Sequence, residues 1–114
     1  MQITVTGRHV DITSAIREYA EDRVNDAMAL FPRVESVHVI LSVEKYRHRA
    51  EIVVQGANHI RIDAHDESDD MYASIDSAIE KAMRQLRKLR DKVQDHKGAE
   101  PLAEAEVKVS KKEA

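Results

Sequence analysis

Cysteine and tryptophan are absent from the chain, and glycine, proline and aromatic residues are scarce: three, two and four among 114 residues. Without cysteine there is no disulfide and no thiol chemistry, catalytic or metal-binding. Three glycines leave no glycine-rich phosphate loop, and no serine stands in a nucleophile-elbow setting, so the chain carries no enzyme signature. No run of about 18 apolar residues that would span a bilayer is present. The chain passes directly into Gln2-Ile3-Thr4-Val5 with no apolar signal core, so a soluble cytosolic protein is expected, with one core carrying the fold.

The formal net charge is −3, which taken alone argues against a nonspecific nucleic-acid binder. The distribution says otherwise. From Ile62 to Glu80 there are seven acids (Asp63, Asp66, Glu67, Asp69, Asp70, Asp76, Glu80) and no lysine or arginine. From Lys81 to Lys97 there are seven bases (Lys81, Arg84, Arg87, Lys88, Arg90, Lys92, Lys97) against Asp91 and Asp95, a local charge of +5. That asymmetry locates any anionic partner.

Ile3 and Val5 alternate with polar neighbours as in a short strand closed by Gly7. Thr13 can cap a helix over roughly 14–30, with Ile16, Ala20, Val24, Ala27 and Phe31 turned inward and Pro32 at its end. Val37, Val39, Leu41 and Val43 recur at period two, followed by strands around Ala50, Ile52, Val54 and around Ile60, Ile62, Ala64, with turns at 45–49 and at Gly56-Ala57-Asn58. Tyr72, Ile75, Ile79, Ala82, Leu86, Leu89 and Val93 form one apolar stripe on a long helix over about 70–95. The order β-α-β-β-β-α predicts an α+β two-layer sandwich, with both helices packed on one face of a four-stranded sheet. Gly98 and Pro101 break the pattern, so a domain over 1–96 and a disordered tail over 97–114 are expected. A helix of 26 residues spans about 39 Å and a strand of seven about 23 Å, so the basic end of the helix is expected to overhang the sheet.

At 100° per residue, Lys81, Arg84, Lys88 and Lys92 fall in a stripe about 80° wide opposite the apolar one, flanked by Arg87 and Arg90. Such a ridge can follow a phosphate backbone. Its alternative, complementation of the helix dipole, reaches only the last turn, whereas these bases begin four turns from the end. Lys45-Tyr46-Arg47-His48-Arg49 forms a second cluster, suited to stacking on an unpaired base or equally to neutralising the acids of 66–70. Those acids suit a helix N-terminus. Arg17 and Arg23 on the first helix have Glu21 and Asp22 as default intrahelical partners. His59, Arg61, Asp63 and His65 share one strand face, yet His59 and His65 stand about 20 Å apart, too far to hold one metal ion. No cofactor or metal is expected. A protein-interaction module recruiting an acidic partner is the reading from a different class.

Thr6-Gly7, Val10-Asp11-Ile12-Thr13, Ala15-Ile16-Arg17-Glu18-Tyr19, Val43-Glu44-Lys45, Asp70-Met71-Tyr72-Ala73-Ser74-Ile75-Asp76 and Arg84-Gln85-Leu86 with Lys88 together resemble the short ribosome hibernation promoting factors and the related ribosome-associated inhibitor, the sigma-54 modulation protein family, from residue 1 to about 96. The resemblance implies a sandwich related in outline to double-stranded-RNA-binding domains. It implies no enzyme activity, and binding to small-subunit rRNA in the channel for messenger and transfer RNA, so that translation is blocked sterically in stationary phase or stress. By position it carries rRNA contact to Lys81, Arg84, Lys88, Arg90 and Lys92, with Arg17, Arg23 and Lys45. Arg87, on the same ridge, joins them from the residues alone. Eighteen tail residues are too few for the dimerisation domain of long-form members, so pairing of ribosomes would need a separate modulation factor. The inhibitor-type alternative opposes such pairing. Neither membrane nor DNA is expected as a partner.

Overall fold

The expected alternation of elements is realised as β1 (Gln2–Arg8), α1 (Ser14–Met28), β2 (Val34–Glu44), β3 (Arg47–Gly56), β4 (Ile60–Ser68) and α2 (Met71–Ala99). The structure, a computed structural model, describes the backbone of residues 1–99 and the side chains of 1–92. The disordered tail expected over 97–114 lies, from residue 100 on, outside the described residues. Residues 97–99 belong to α2, and Gly98, expected to break the helix, sits inside it. A glycine in a helix costs about 1 kcal/mol relative to alanine without forbidding the turn. The chain divides into two compact units, Met1–Met83 and Arg84–Ala114. The first holds the sheet, α1 and the opening turns of α2.

The strands lie in the order β1-β2-β3-β4, with β1 parallel to β2 and the other two pairs antiparallel. The register converts period-two alternation into one apolar face. Val5, Val39, Ile52 and Ala64 stand abreast across the four strands, and Ile3, Val37, Val54 and Ile62 form the next row. All of these except Ile3 are buried, as are Leu41 and Ala50. Burying each of the larger ones contributes about 1.5–3 kcal/mol, which makes this face the core of the domain. The parallel β1–β2 pair needs a crossover, and α1 supplies it. Thr13 caps that helix, its hydroxyl accepting from the Ile16 N–H at 3.1 Å. Ala20, Val24, Ala27 and Phe31 are buried as expected, joined by Met28, while Ile16 is half-exposed.

Three expectations need correction. First, Ile75, Ile79, Ala82 and Leu86 of α2 are buried as expected, but Met71, Ser74 and Ala78 join them and Tyr72 stands 37% exposed. The buried stripe is thus wider than expected on one side, where Ser74, though polar, is hydrogen-bonded inside. Its hydroxyl donates to the His48 carbonyl at 2.7 Å and lies 2.7 Å from the Ser68 hydroxyl. Second, the β2–β3 turn is only Lys45 and Tyr46, since Glu44 pairs with Arg47 and Val43 with His48. Third, β2, β3 and β4 run to 11, 10 and 9 residues, or about 36, 33 and 30 Å, against about 43 Å for the 29 residues of α2. The length mismatch behind the expected overhang is smaller than seven-residue strands implied.

Gly56 ends β3 where the chain passes the β2 entrance. A Cβ there would stand 2.3 Å from the Arg33 carbonyl oxygen, which also accepts the Ala57 N–H at 2.9 Å. On the sheet face opposite the core, Glu51 lies diagonal to Asp63 across β3 and β4. The Glu51 pKa is raised by its hydrogen bond to the Asp63 carboxylate, then by burial and by the Asp63 charge. A carboxyl so raised holds its proton more tightly in the folded state. Its stabilising effect is full below the unfolded pKa and is lost as pH rises through the folded one.

Two outcomes follow from this packing. Gly56→Ala should lower the urea midpoint, at unchanged slope, by a stability loss of about 1–3 kcal/mol, because backbone rather than a flexible side chain must move; a wild-type midpoint would contradict the close approach. Glu51→Gln, which keeps a donor toward Asp63 and removes one charge, should raise the thermal midpoint at pH 7 and leave it unchanged where both carboxyls are protonated. A lowered midpoint at pH 7 would contradict the raised Glu51 pKa.

Candidate nucleic-acid interface

Asp70 starts α2: its carboxylate accepts the Ala73 N–H at 3.2 Å, and its carbonyl takes the Ser74 N–H at 3.0 Å. The acids expected to serve a helix N-terminus therefore do so at this position. Glu67 meets Arg47 at 3.6 Å and Arg49 at 3.9 Å. Of the two readings of the Lys45–Arg49 cluster, the structure realises mutual neutralisation for these two arginines.

The nine candidate RNA-contacting residues fall into two groups, those already engaged inside the fold and those that are not. Arg17 donates to the Val5 carbonyl at 3.1 Å. Arg23 pairs with Asp76 of α2 at 3.0 Å and lies 5.9 Å from the centroid of the Tyr19 ring. The expected intrahelical partners Glu21 and Asp22 are thus displaced by partners from other elements, because the side chains of one exposed helix face gain only about 0.2–0.5 kcal/mol from each other. Lys81 reaches the Asp66 carboxylate at 3.6 Å and the His65 carbonyl at 3.3 Å. The Asp66 pKa is lowered, first by the Glu67 N–H that it accepts and, after an opposing burial effect, by the Lys81 charge. Arg90 pairs with Asp91 at 3.7 Å. Lys45 occupies the first turn position between β2 and β3 with φ 60°.

Arg84, Arg87, Lys88 and Lys92 are exposed, and they form no ion pair among the described residues. All belong to one continuous helix in which Leu86 is 3% exposed. Arg84 with Lys88 and Lys88 with Lys92 are like-charged neighbours four residues apart. Each such pair is unfavourable by about 0.2–0.5 kcal/mol in an isolated helix, a cost that a polyanion laid along them relieves. Among the described residues no group of three or more histidines or carboxylates could hold a metal ion, and no helix is long and apolar enough to cross a membrane.

The sequence missed one cluster altogether. Tyr19 of α1 donates from its hydroxyl to Asp76, whose two oxygens each lie 2.8 Å away, while its ring meets Tyr72 edge-on at 4.9 Å. The Tyr19 pKa is raised, chiefly by that hydrogen bond and then by burial and the Asp76 charge. Asp76 therefore joins the two helices and holds Arg23 at the same time. Asp76→Asn should return the Tyr19 phenol toward the ordinary tyrosine range in an ultraviolet absorbance titration and lower stability by about 1.5–3 kcal/mol, typical of hydrogen bonds to a charged group. An unchanged titration would mean that the Tyr19–Asp76 bond does not form in solution.

Comparison with known proteins matches this arrangement to a family. The Sigma 54 modulation protein / S30EA ribosomal protein family profile covers residues 3–94. The ribosome hibernation promoting factor of Escherichia coli K12 is 40% identical over 96 residues, which are 84% of this chain and 100% of that protein. The protein of the same name from Azotobacter vinelandii is 36% identical over 104 residues, 89% of this chain and 94% of the relative. Among solved structures, a ribosomal subunit interface protein from Coxiella burnetii superposes with TM-score 0.75 at 31% identity, covering 80% of this chain and 99% of the other. The N-terminal domain of Thermus thermophilus Protein Y superposes with TM-score 0.70 at 31% identity, covering 78% and 99%. The four-stranded sheet with two helices is thus the fold of its structural neighbours, and the chain belongs to the Sigma 54 modulation protein / S30EA ribosomal protein family, the non-enzymatic family of ribosome hibernation factors.

Proposed function

We propose that this protein binds the rRNA of the small ribosomal subunit in the channel otherwise used by messenger and transfer RNA, and that it silences translation there by occupying space. The observation that carries the reading is the row of exposed cations on α2, Arg84, Arg87, Lys88 and Lys92, left without ion-pair partners among the described residues. A helix that retains like charges at four-residue spacing gains from a ligand that supplies phosphates at regular intervals, and Arg84 and Arg87 add bidentate contacts that lysine cannot make. Lys81 and Arg90 join them by exchanging an exposed carboxylate partner for a phosphate. The pairs they leave are worth at most about 1 kcal/mol in water. Lys45, Arg17 and Arg23 are further contacts, Arg17 and Arg23 being held in place by Val5 and Asp76.

Nothing in this mechanism asks for a cofactor, and inhibition is steric. The protein acts bound to ribosomes in the cytoplasm, in stationary or stressed cells. Pairing of two ribosomes is the task of a separate modulation factor on the same particle.

Sucrose-gradient sedimentation with purified small subunits tests the reading directly. With six phosphates neutralised, affinity should fall on the order of a thousandfold between 50 and 200 mM salt. The double charge reversal Arg84→Glu with Lys88→Glu should abolish co-sedimentation while leaving the thermal midpoint unchanged, since both side chains are exposed. A salt-independent affinity, or a double variant that still binds, would overturn the phosphate-ridge mechanism.

A further inference from the structure

The β2–β3 hairpin carries a tyrosine for which the fold has no evident use. The chain has four aromatic residues. Phe31 is buried at 6% exposure, and Tyr19 and Tyr72 pack against each other between the helices. Tyr46 is 75% exposed, in a turn of two residues, and makes no ring contact or hydrogen bond among the described residues. Lys45, just before it, is held at φ 60°, a left-handed backbone at which asparagine or glycine would sit without strain. Neither residue is thus the choice that turn stability alone would make. His9, Asn58 and His59 share this backbone conformation at other turns; at the β2–β3 tip it sets Lys45 directly before the exposed ring.

The base of the hairpin is, by contrast, firmly held. Glu44 pairs with Arg47 across the ladder, and the Ser74 hydroxyl donates to the His48 carbonyl, tying β3 to the first turns of α2. Tyr46 therefore projects from a fixed root rather than from a loose loop. Lys45 and Arg47 adjoin it in the chain; Arg47 is paired with Glu67 at 3.6 Å and Arg49 with Glu67 at 3.9 Å and Glu51 at 3.8 Å, while Lys45 forms no ion pair among the described residues. A flat, exposed ring beside an unpaired lysine suits an unpaired nucleotide, with the base stacking on the ring and a flanking phosphate meeting Lys45 or drawing Arg47 out of a weak surface pair. An apolar pocket on a protein would gain from the ring alone and would have to accommodate those charges.

We infer that Tyr46 is a stacking finger for an unpaired base of the RNA this protein binds, a contact distinct in kind from the phosphate ridge on α2. The inference rests on the RNA-binding reading above, and the two predict different signatures. Stacking is nearly independent of salt, whereas the ridge is governed by it.

Affinity for purified small subunits, measured across a salt series, separates them. Tyr46→Ala should weaken binding about five- to a hundredfold at every salt concentration with the salt slope unchanged. Tyr46→Phe and Tyr46→Trp should retain wild-type affinity, and all should show the wild-type thermal midpoint. Equal rescue by Tyr46→Leu would assign the contact to an apolar protein pocket and overturn the base-stacking assignment. Wild-type affinity of Tyr46→Ala would overturn it too. If Tyr46→Ala is neutral while the Arg84, Lys88 double reversal abolishes binding, only the finger falls. If neither affects binding, the RNA reading falls with it.

Discussion

Which side chains of the opening turns of α2 meet solvent is decided by how the helix is rotated on the sheet, and one polar residue has a large part in that. Ser74 is 1% exposed and sits among Met71, Ile75 and Ala78. A buried hydroxyl is costly unless bonded, and this one has partners from two directions, the His48 carbonyl and the Ser68 hydroxyl. With Ser74 inward, Tyr72 moves to the rim, where it meets Tyr19, and Asp76 comes within reach of both Tyr19 and Arg23. The same rotation brings Lys81 to β4 and its Asp66 partner. The contacts of α2 with α1 on one side and with β4 on the other thus depend on the phase that Ser74 helps to fix.

Much of this was legible beforehand because it follows from periodicity and capping. Alternation at period two marked the core residues of β2, β3 and β4, and the Thr13 cap placed the start of α1. The stripe of α2 through Ile75, Ile79, Ala82 and Leu86 was legible as well, but its edge was not: Ser74 is buried where Tyr72 is not, and the partners of Ser74 are brought in from β3 and β4. The partners of Arg17 and Arg23 were hidden for a related reason: Val5 and Asp76 lie 12 and 53 residues away in the chain. Local pairing rules name Glu21 and Asp22, which the fold passes over. The exposed cations at 84, 87, 88 and 92 were legible because nothing tertiary needed to be known to count them.

The net charge of −3 conceals the function because the acids and the cations do different work. In the acidic stretch from 62 to 80, Asp63 receives the Glu51 hydrogen bond, Asp66 accepts the Glu67 N–H and meets Lys81, and Glu67 meets two arginines. Asp70 caps α2, and Asp76 holds Tyr19 and Arg23. Five of the seven acids are therefore occupied within the fold. A carboxylate that already accepts hydrogen bonds presents a weaker field to an approaching phosphate than its formal charge suggests, and what remains for long-range attraction is dominated by the unpaired cations of α2. Neutralising those acids by substitution would then disturb stability, whereas removing any one of the four unpaired cations would leave the fold alone. The chain is acidic on average and basic where it has no internal partner, and the second property is the one an RNA would meet.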